Sequence, residues 1–265
     1  MARQNDCCIL EQCDIFDFML KHVGLSVLHP GGFEATRKMA DACGINNQTK
    51  VLDIACGKGT SAVYLAQKYG CRVVGIDVSP DLVSQAKALA KKKGLVHRVR
   101  FQKADALDLP FLKNEFDVTV AQAVLVLVKN KKKAVQEALR VVKPGGRLGW
   151  VELSWKKPPT ARFMKDVSDV LCAACMQNVL TFQHWQKLFR GTGIQRLKTL
   201  PFPLGGSRLS GMLENEGLLN LGKVLYRYLT RAPVRERMQI MNRFFKAHAD
   251  HFAYGIYVGE KKKKG

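Results

Sequence analysis

"VLDIACGKGT", residues 51–60, ends an apolar run on an acid, a cysteine and two glycines. A structural turn needs at most one glycine, so Gly57 and Gly59 together imply that something small lies against bare backbone here. A helix that starts just past a sheet strand points its free N–H groups and the positive end of its dipole beyond the strand's C-terminus. Ligands of open α/β sheets bind at that edge. The stretch therefore reads as a nucleotide-type site in which Asp53 supplies a fixed negative charge. Ala62 stands at the third position of G-x-G-x-x-G, so the turn by itself leaves a nicotinamide cofactor open.

Outward from this turn, residues 50–153 alternate between two kinds of segment. Short β-branched runs occur at "KVLDIAC", "CRVVGID", "RVRFQKAD", "FDVTVAQAV" and "GRLGWVEL". Between them lie stretches with helical spacing: "TSAVYLAQKYG", "PDLVSQAKALAKKKG" and "KKKAVQEALRVVKPGG". The alternation predicts a mostly parallel sheet with helices on both faces. Ser79 followed by Pro80 marks a helix start; Gly70, Gly94 and the "KPGG" of 143–146 mark stops. Upstream, "GGFEATRKMADACG" reads as an amphipathic helix. Downstream come two helices at "TARFMKDVSDVLCAACMQ" and "TFQHWQKLFRGTG", a strand at "IQRLKTLPF", and a long helical stretch over 210–251. A last strand, "FAYGIYVGEK", follows. The expected organisation is a single domain over 1–265. Residues 30–155 are its ligand-binding core, 156–200 add helices and a strand, 203–251 form a helical insertion, and 252–265 hold the last strand and a basic tail.

The composition bounds the rest. At 265 residues and 47% hydrophobic, the chain can build one sizeable α/β core. The longest apolar run, Val118 to Val128, spans only a third to a half of a bilayer as a helix. "MARQNDCC" lacks the basic start and apolar core of a secretory signal. The eight cysteines follow no regular spacing, which reads as free thiols in a reducing cytosol. "CAAC" at 172–175 has no second pair of ligands, so no metal is expected. Lys and Arg number 43 against 22 Asp and Glu, a net charge of +21 that attracts nucleic acid, anionic lipid surfaces or anionic small molecules. Much of it sits in lysine blocks at 91–93, 131–133 and 261–264, without the interleaved aromatics of nucleic-acid readers.

Two further acids narrow the ligand. Asp77 ends the second strand about twenty residues past the glycine turn, where an acid holds ribose hydroxyls. Asp105 ends the third. Three carboxylates at successive strand ends suit an ammonium, two ribose hydroxyls and an adenine amine, and suit a pyrophosphate badly. The set "VLDIACGKGT", "VVGIDVSP", "KADALDLPF", "FDVTVAQAV" and "ALRVVKPGGRLGWVE" resembles the class I S-adenosylmethionine-dependent methyltransferases. It is most similar to the branch labelled methyltransferase type 11, which includes quinone-biosynthesis enzymes. The resemblance covers about residues 30–155. It implies a Rossmann-like, seven-stranded sheet with a helical insertion before the last strand, and S-adenosyl-L-methionine as cofactor.

Carried over, the resemblance puts Asp53, Ala55, Cys56, Gly57 and Gly59 around the methionine portion. Asp77 takes the ribose, Val78 packs on the adenine, Asp105 accepts from its amine with Ala106 alongside, and Gln122 lies near the sulfonium. "HPGG" at 29–32 matches a turn that closes over the cofactor's carboxylate in some members, so His29 and Gly32, with Trp155 and His184, are the candidate substrate contacts. "QAVLVLV" lacks the histidine that many relatives carry after the fourth strand, and no residue is compelled as a catalytic base.

Direct displacement at a methyl needs a base only where the acceptor must lose a proton. The place where base-amino methyltransferases carry [Asp/Asn/Ser]-Pro-Pro-aromatic reads "QAVL" here, and no Pro-Cys or Thr-Cys nucleophile is present. Both point to a small-molecule acceptor. The charge keeps a tRNA or rRNA substrate open, and the apolar insertion with its lysine blocks keeps open a quinone- or sterol-type lipid precursor at a membrane surface. A cofactor-binding scaffold without turnover and an NAD-dependent oxidoreductase are further alternatives. For the insertion, a lid over the acceptor, a homodimer contact and additional core are the three expectations.

Overall fold

In this computed structural model, the residues described are 15, 18–171, 174–204 and 209–263, without the side chains of 174, 175, 209 and 210. After a π-helical turn (Phe18–Val23) the elements run α1 (Gly32–Ala42), β1 (Lys50–Ile54), α2 (Thr60–Tyr69), β2 (Arg72–Asp77), α3 (Pro80–Lys92), β3 (Val99–Lys103), β4 (Phe116–Gln122), α4 (Lys131–Val141) and β5 (Val142–Trp155). Then come α5 (Ala161–Leu171), a 3₁₀ turn (Ala174–Asn178), β6 (Leu180–Thr181), α6 (Phe182–Arg190), β7 (Gln195–Pro203), α7 (Leu209–Thr230), α8 (Ala232–Ala247) and β8 (Phe252–Glu260).

The sheet order is β3-β2-β1-β4-β5-β8-β7, with β6 appended to β5. β8 runs antiparallel to both of its neighbours, and the pairings among β1 to β5 are parallel. The path is the expected seven strands; the two-residue β6 makes an eighth that is too short to leave a periodic signal. β1 lies between β2 and β4, so Asp53 sits in register with Gly75 and Val120. The order reverses there, as the two neighbours of β1 belong to opposite halves of the sheet.

Alternation along the strands feeds two cores. Leu52, Ile54, Ile76, Leu148 and Trp150 face one side, with Trp185, Phe189 and Tyr257. Val51, Val73, Val118, Val120 and Val151 face the other, against Met39 and Leu65. Burying a side chain the size of Leu or Phe stabilises by about 1.5–3 kcal/mol, so these layers fix the register: a one-residue slip would turn both faces inside out. Gly149 lets α1 approach, since a Cβ there would lie 2.7 Å from Met39 Cγ.

The helix punctuation agrees with the sequence at Ser79, whose Oγ accepts from Leu82 N, and at Gly70, a left-handed C-cap. It differs at "KPGG". α4 stops at Val141 and residues 143–146 already belong to β5, because Val142 pairs with Phe116 before the register shifts. The insertion is two helices, the first broken at Gly217 (φ 68°, ψ 162°), a conformation that an L-residue resists. Lys261, first of the tail lysines, is no free surface charge. Its Nζ donates to Asn114 Oδ1 and to the carbonyls of Arg140 and Val142. Cys172 and the side chain of Cys175 lie outside the described residues, as do residues 205–207 of "PFPLGGS".

Candidate functional site

A cavity of about 270 Å³ opens at the C-terminal ends of β1, β2 and β4. Asp53, Ala55, Gly57, Ser61, Asp77 and Gln122 are among the residues that line it. It grows from the opening decapeptide. β1 ends at Ile54, and Ala55 turns the chain with φ 56°, a left-handed conformation uncommon for alanine. Cys56 N donates to Ile76 O at 2.8 Å, tying the turn to β2. Gly59 caps α2 with φ 76°.

The two glycines do different work. A Cβ on Gly57 would meet nothing within 4 Å, so this residue leaves room on the cavity side. A Cβ on Gly59 would lie 2.6 Å from Phe101 Cζ and 2.8 Å from Ala86 Cβ. Gly59 therefore serves packing between α2, α3 and β3, and it does not line the cavity.

Asp77 is buried and already engaged. Oδ2 accepts from Gly57 N and Oδ1 from Ser79 N, both at 3.0 Å. Each oxygen keeps a lone pair for a ligand hydroxyl. Asp53 is 2% exposed, and its Oδ2 has no hydrogen-bond partner. Burial, with Asp77 nearby, pushes its carboxyl up to about 8. An orphaned buried carboxylate facing a cavity calls for a cation or donor from outside the chain. An ammonium at Asp53 and ribose hydroxyls at Asp77 fit this donor set. Cys56 is buried, and its thiol is pushed far above the usual range by desolvation and by the two carboxylates, so it packs and does not react.

Gln122 ends β4, and its Oε1 accepts from Thr36 Oγ1 at 2.8 Å. The next residue, Ala123, has φ 57° and lines the cavity, a second strained alanine at a strand end. The turn after it is held by Glu152, wholly buried on β5, whose Oε1 accepts from the backbone N–H of Val124 and Leu125. Burial pushes that carboxyl up to about 8 as well.

The remaining sequence candidates spread out. β3 ends at Lys103, two residues before Asp105. Asp105 is exposed, and its Oδ1 accepts from Leu107 N at 2.8 Å, as an Asx turn does. Val78 is 60% exposed. Neither of these, nor Ala106, lines the cavity. Trp155 is buried among Phe163 and Phe252, in the core rather than a pocket. His184 is exposed in the first turn of α6, where its Nδ1 lies 2.7 Å from the Thr181 capping hydroxyl. Both positions correct the expectation of a substrate contact: the strand and helix carrying them turn those side chains elsewhere.

His29 is different. It borders the first cavity and two more, of about 300 and 440 Å³. Its Nδ1 faces Pro30 O, while Nε2 lies 3.3 Å from Ser61 Oγ and 3.3 Å from Thr36 Oγ1. Burial lowers the imidazole to about 4, so it is neutral at pH 7. The 300 Å³ cavity is apolar, with Met19, Leu28, Ala123, Leu153, Met241 and Phe245 in its wall. Gly32 borders the third cavity, beside Asn215 and Glu216 of α7.

A clasp closes the wall between these spaces. Glu216 accepts from Ser26 N with both oxygens, Asn220 Nδ2 donates to Gly24 O, and Asn215 Oδ1 accepts from Phe33 N. Thr60 Oγ1 donates to Ser26 O from the other side. None of these was a sequence candidate. Ser61, polar in the first turn after a glycine cap, carried a local signal; the clasp joins residues nearly two hundred positions apart and carried none.

Comparison with known proteins agrees with this geometry. A family model described as a methyltransferase domain matches residues 51–146. An uncharacterised protein of Haemophilus influenzae is 29% identical over 88% of this chain and 93% of its own. Norajmaline N-methyltransferase of Rauvolfia serpentina is 31% identical over 51% of this chain, and this chain spans 49% of that enzyme. Phosphoethanolamine N-methyltransferase 2 of Haemonchus contortus, solved with S-adenosyl-L-methionine, superposes with a TM-score of 0.71 at 18% identity, covering 94% of this chain and 57% of that one. The domain match is general and does not single out the narrower branch that the sequence resembles. Residues 51–146 thus match a methyltransferase domain, and in sequence and fold the chain is similar to S-adenosylmethionine-dependent methyltransferases.

Proposed function

We propose that the protein methylates a small, largely apolar acceptor seated in the 300 Å³ cavity next to the cofactor site. The observation that carries this reading is the shared wall: Leu28, His29 and Ala123 border both spaces. When bound, S-adenosyl-L-methionine supplies a methyl group made electrophilic by its sulfonium. Asp53 holds the ammonium, Asp77 the ribose hydroxyls, and Gly57 leaves the backbone bare. Gln122, fixed by Thr36, lines the cofactor side of the site. Leu28, Leu153, Met241 and Phe245 exclude water and hold the acceptor, so that proximity and orientation supply much of the rate. His29, neutral at pH 7, is the side chain at the boundary able to take a hydrogen bond or a proton from the acceptor. The relative named for norajmaline N-methylation supports a small-molecule acceptor. Among the described residues no helix is long and apolar enough to cross a membrane.

The test is methyl transfer from labelled S-adenosyl-L-methionine into pools of amines, phenols and thiols with apolar bodies. Once an acceptor is found, Met241→Trp, which fills the apolar cavity, should abolish transfer and leave cofactor binding within about twofold. Unchanged transfer by that variant would move the acceptor elsewhere.

A further inference from the structure

Among the described residues, the outer face of α7 is apolar and uncovered. Leu218 and Leu219 are 77 and 84% exposed, and Leu225, Tyr226 and Leu229 are each more than half exposed. At 3.6 residues per turn, Leu218, Leu225 and Leu229 fall on one stripe, with Tyr226 and Leu219 beside it. The buried face is opposite, carried by Val224. α7 thus meets the protein through Val224 and its clasp residues, and turns its leucines toward solvent. Exposed Lys223 and Arg231 stand at the edge and end of the outer stripe.

We infer that this face docks on an anionic membrane surface. An in-plane amphipathic helix binds such a surface by sinking leucines into the headgroup boundary while flanking Lys and Arg stay with the phosphates. The charge selects the partner. A second copy would bring another net +21 against the first, whereas an anionic leaflet attracts it. The inner sides of the same helices supply a use. Met212 and Tyr228 of α7, with Met241, Asn242 and Phe245 of α8, line the cavities that adjoin the cofactor site. An apolar acceptor dissolved in lipid would then enter beneath α7; this last step rests on the function proposed above, while the docking itself does not.

The experiment is co-sedimentation of the full chain with phosphatidylcholine vesicles, with and without phosphatidylglycerol, across a salt series. Binding should need the anionic lipid and weaken with salt. The combined variant Leu218→Ser, Leu225→Ser, Leu229→Ser should lose about tenfold or more of it. Titration with S-adenosyl-L-methionine on the same preparation should match wild type, which shows that the variant is folded and separates this question from the cofactor site. Absence of binding to anionic vesicles would overturn the inference. So would full retention by the triple variant, which would assign the attraction to lysines alone. A concentration-dependent dimer that the triple variant abolishes, without vesicle binding, would assign the face to a second copy.

Discussion

The two sides of the site are built by opposite means. The cofactor side draws its carboxylates and its glycine turn from residues 53–77, with Gln122 and the strained Ala123 at the end of β4. The acceptor side is made of side chains from the chain's beginning, from β5 and from α8, gathered across more than two hundred positions. The first needs one short stretch to be right. The second needs the whole fold, with the Glu216 clasp holding residues 24–33 in place. A site of the first kind can stay fixed while the second is remade for another acceptor.

The largest effect that would break this contrast is at Asp77. Asp77→Ala removes two acceptors and strands the N–H groups of Gly57 and Ser79, so affinity for S-adenosyl-L-methionine should fall about a hundredfold or more by calorimetric titration. Normal binding would mean that the glycine turn holds the ligand without β2. The glycines sharpen the contrast within the cofactor side. Gly59→Ala forces a Cβ against Phe101 and should cost about 3 kcal/mol in denaturant unfolding. Gly57→Ala should cost about 1 kcal/mol from its positive φ, yet weaken the cofactor about tenfold by occupying its space.

pH separates the sides further. Asp53 and Glu152 both titrate near 8 in the folded chain, well above their unfolded values. The stability that their neutral forms contribute is complete below pH 4 and is lost as pH rises through 8. The cofactor-free protein should therefore melt lower at pH 9 than at pH 6, and Asp53→Asn should flatten part of that slope. An ammonium at Asp53 needs the carboxylate, so binding at pH 7 should release a proton, seen by calorimetry in buffers of different ionisation enthalpy. Affinity should fall as pH drops below 8, by up to about tenfold per unit. The smallest effect is on the clasp: Asn220→Ala should lower stability by about 1 kcal/mol and leave cofactor affinity unchanged.

What could be read in the chain follows the same division. Asp53, Gly57 and Asp77 were legible because a glycine turn at a strand end and an acid at the next strand end are local patterns. The role of Gly59 was not, since only the tertiary approach of Phe101 shows that it serves packing. Asp105 read as a third carboxylate of the set, yet its side chain closes its own turn. No local pattern aims the side chains of Trp155 and His184. β6 is too short to predict, and the break at Gly217 is hidden in a stretch that reads as one long helix.

β8 is the last strand in sequence and an interior strand in the sheet, paired on both edges with β5 and β7. Synthesis runs from the N-terminus, so β1 to β7 exist before this strand. Until residues 252–260 emerge, the long edge of β5 from Arg147 to Trp155 has no partner and is open to any passing strand. Premature termination ahead of Phe252 would thus release a chain with this adhesive edge bare. Quality control of this protein in the cell would turn on residues 252–260.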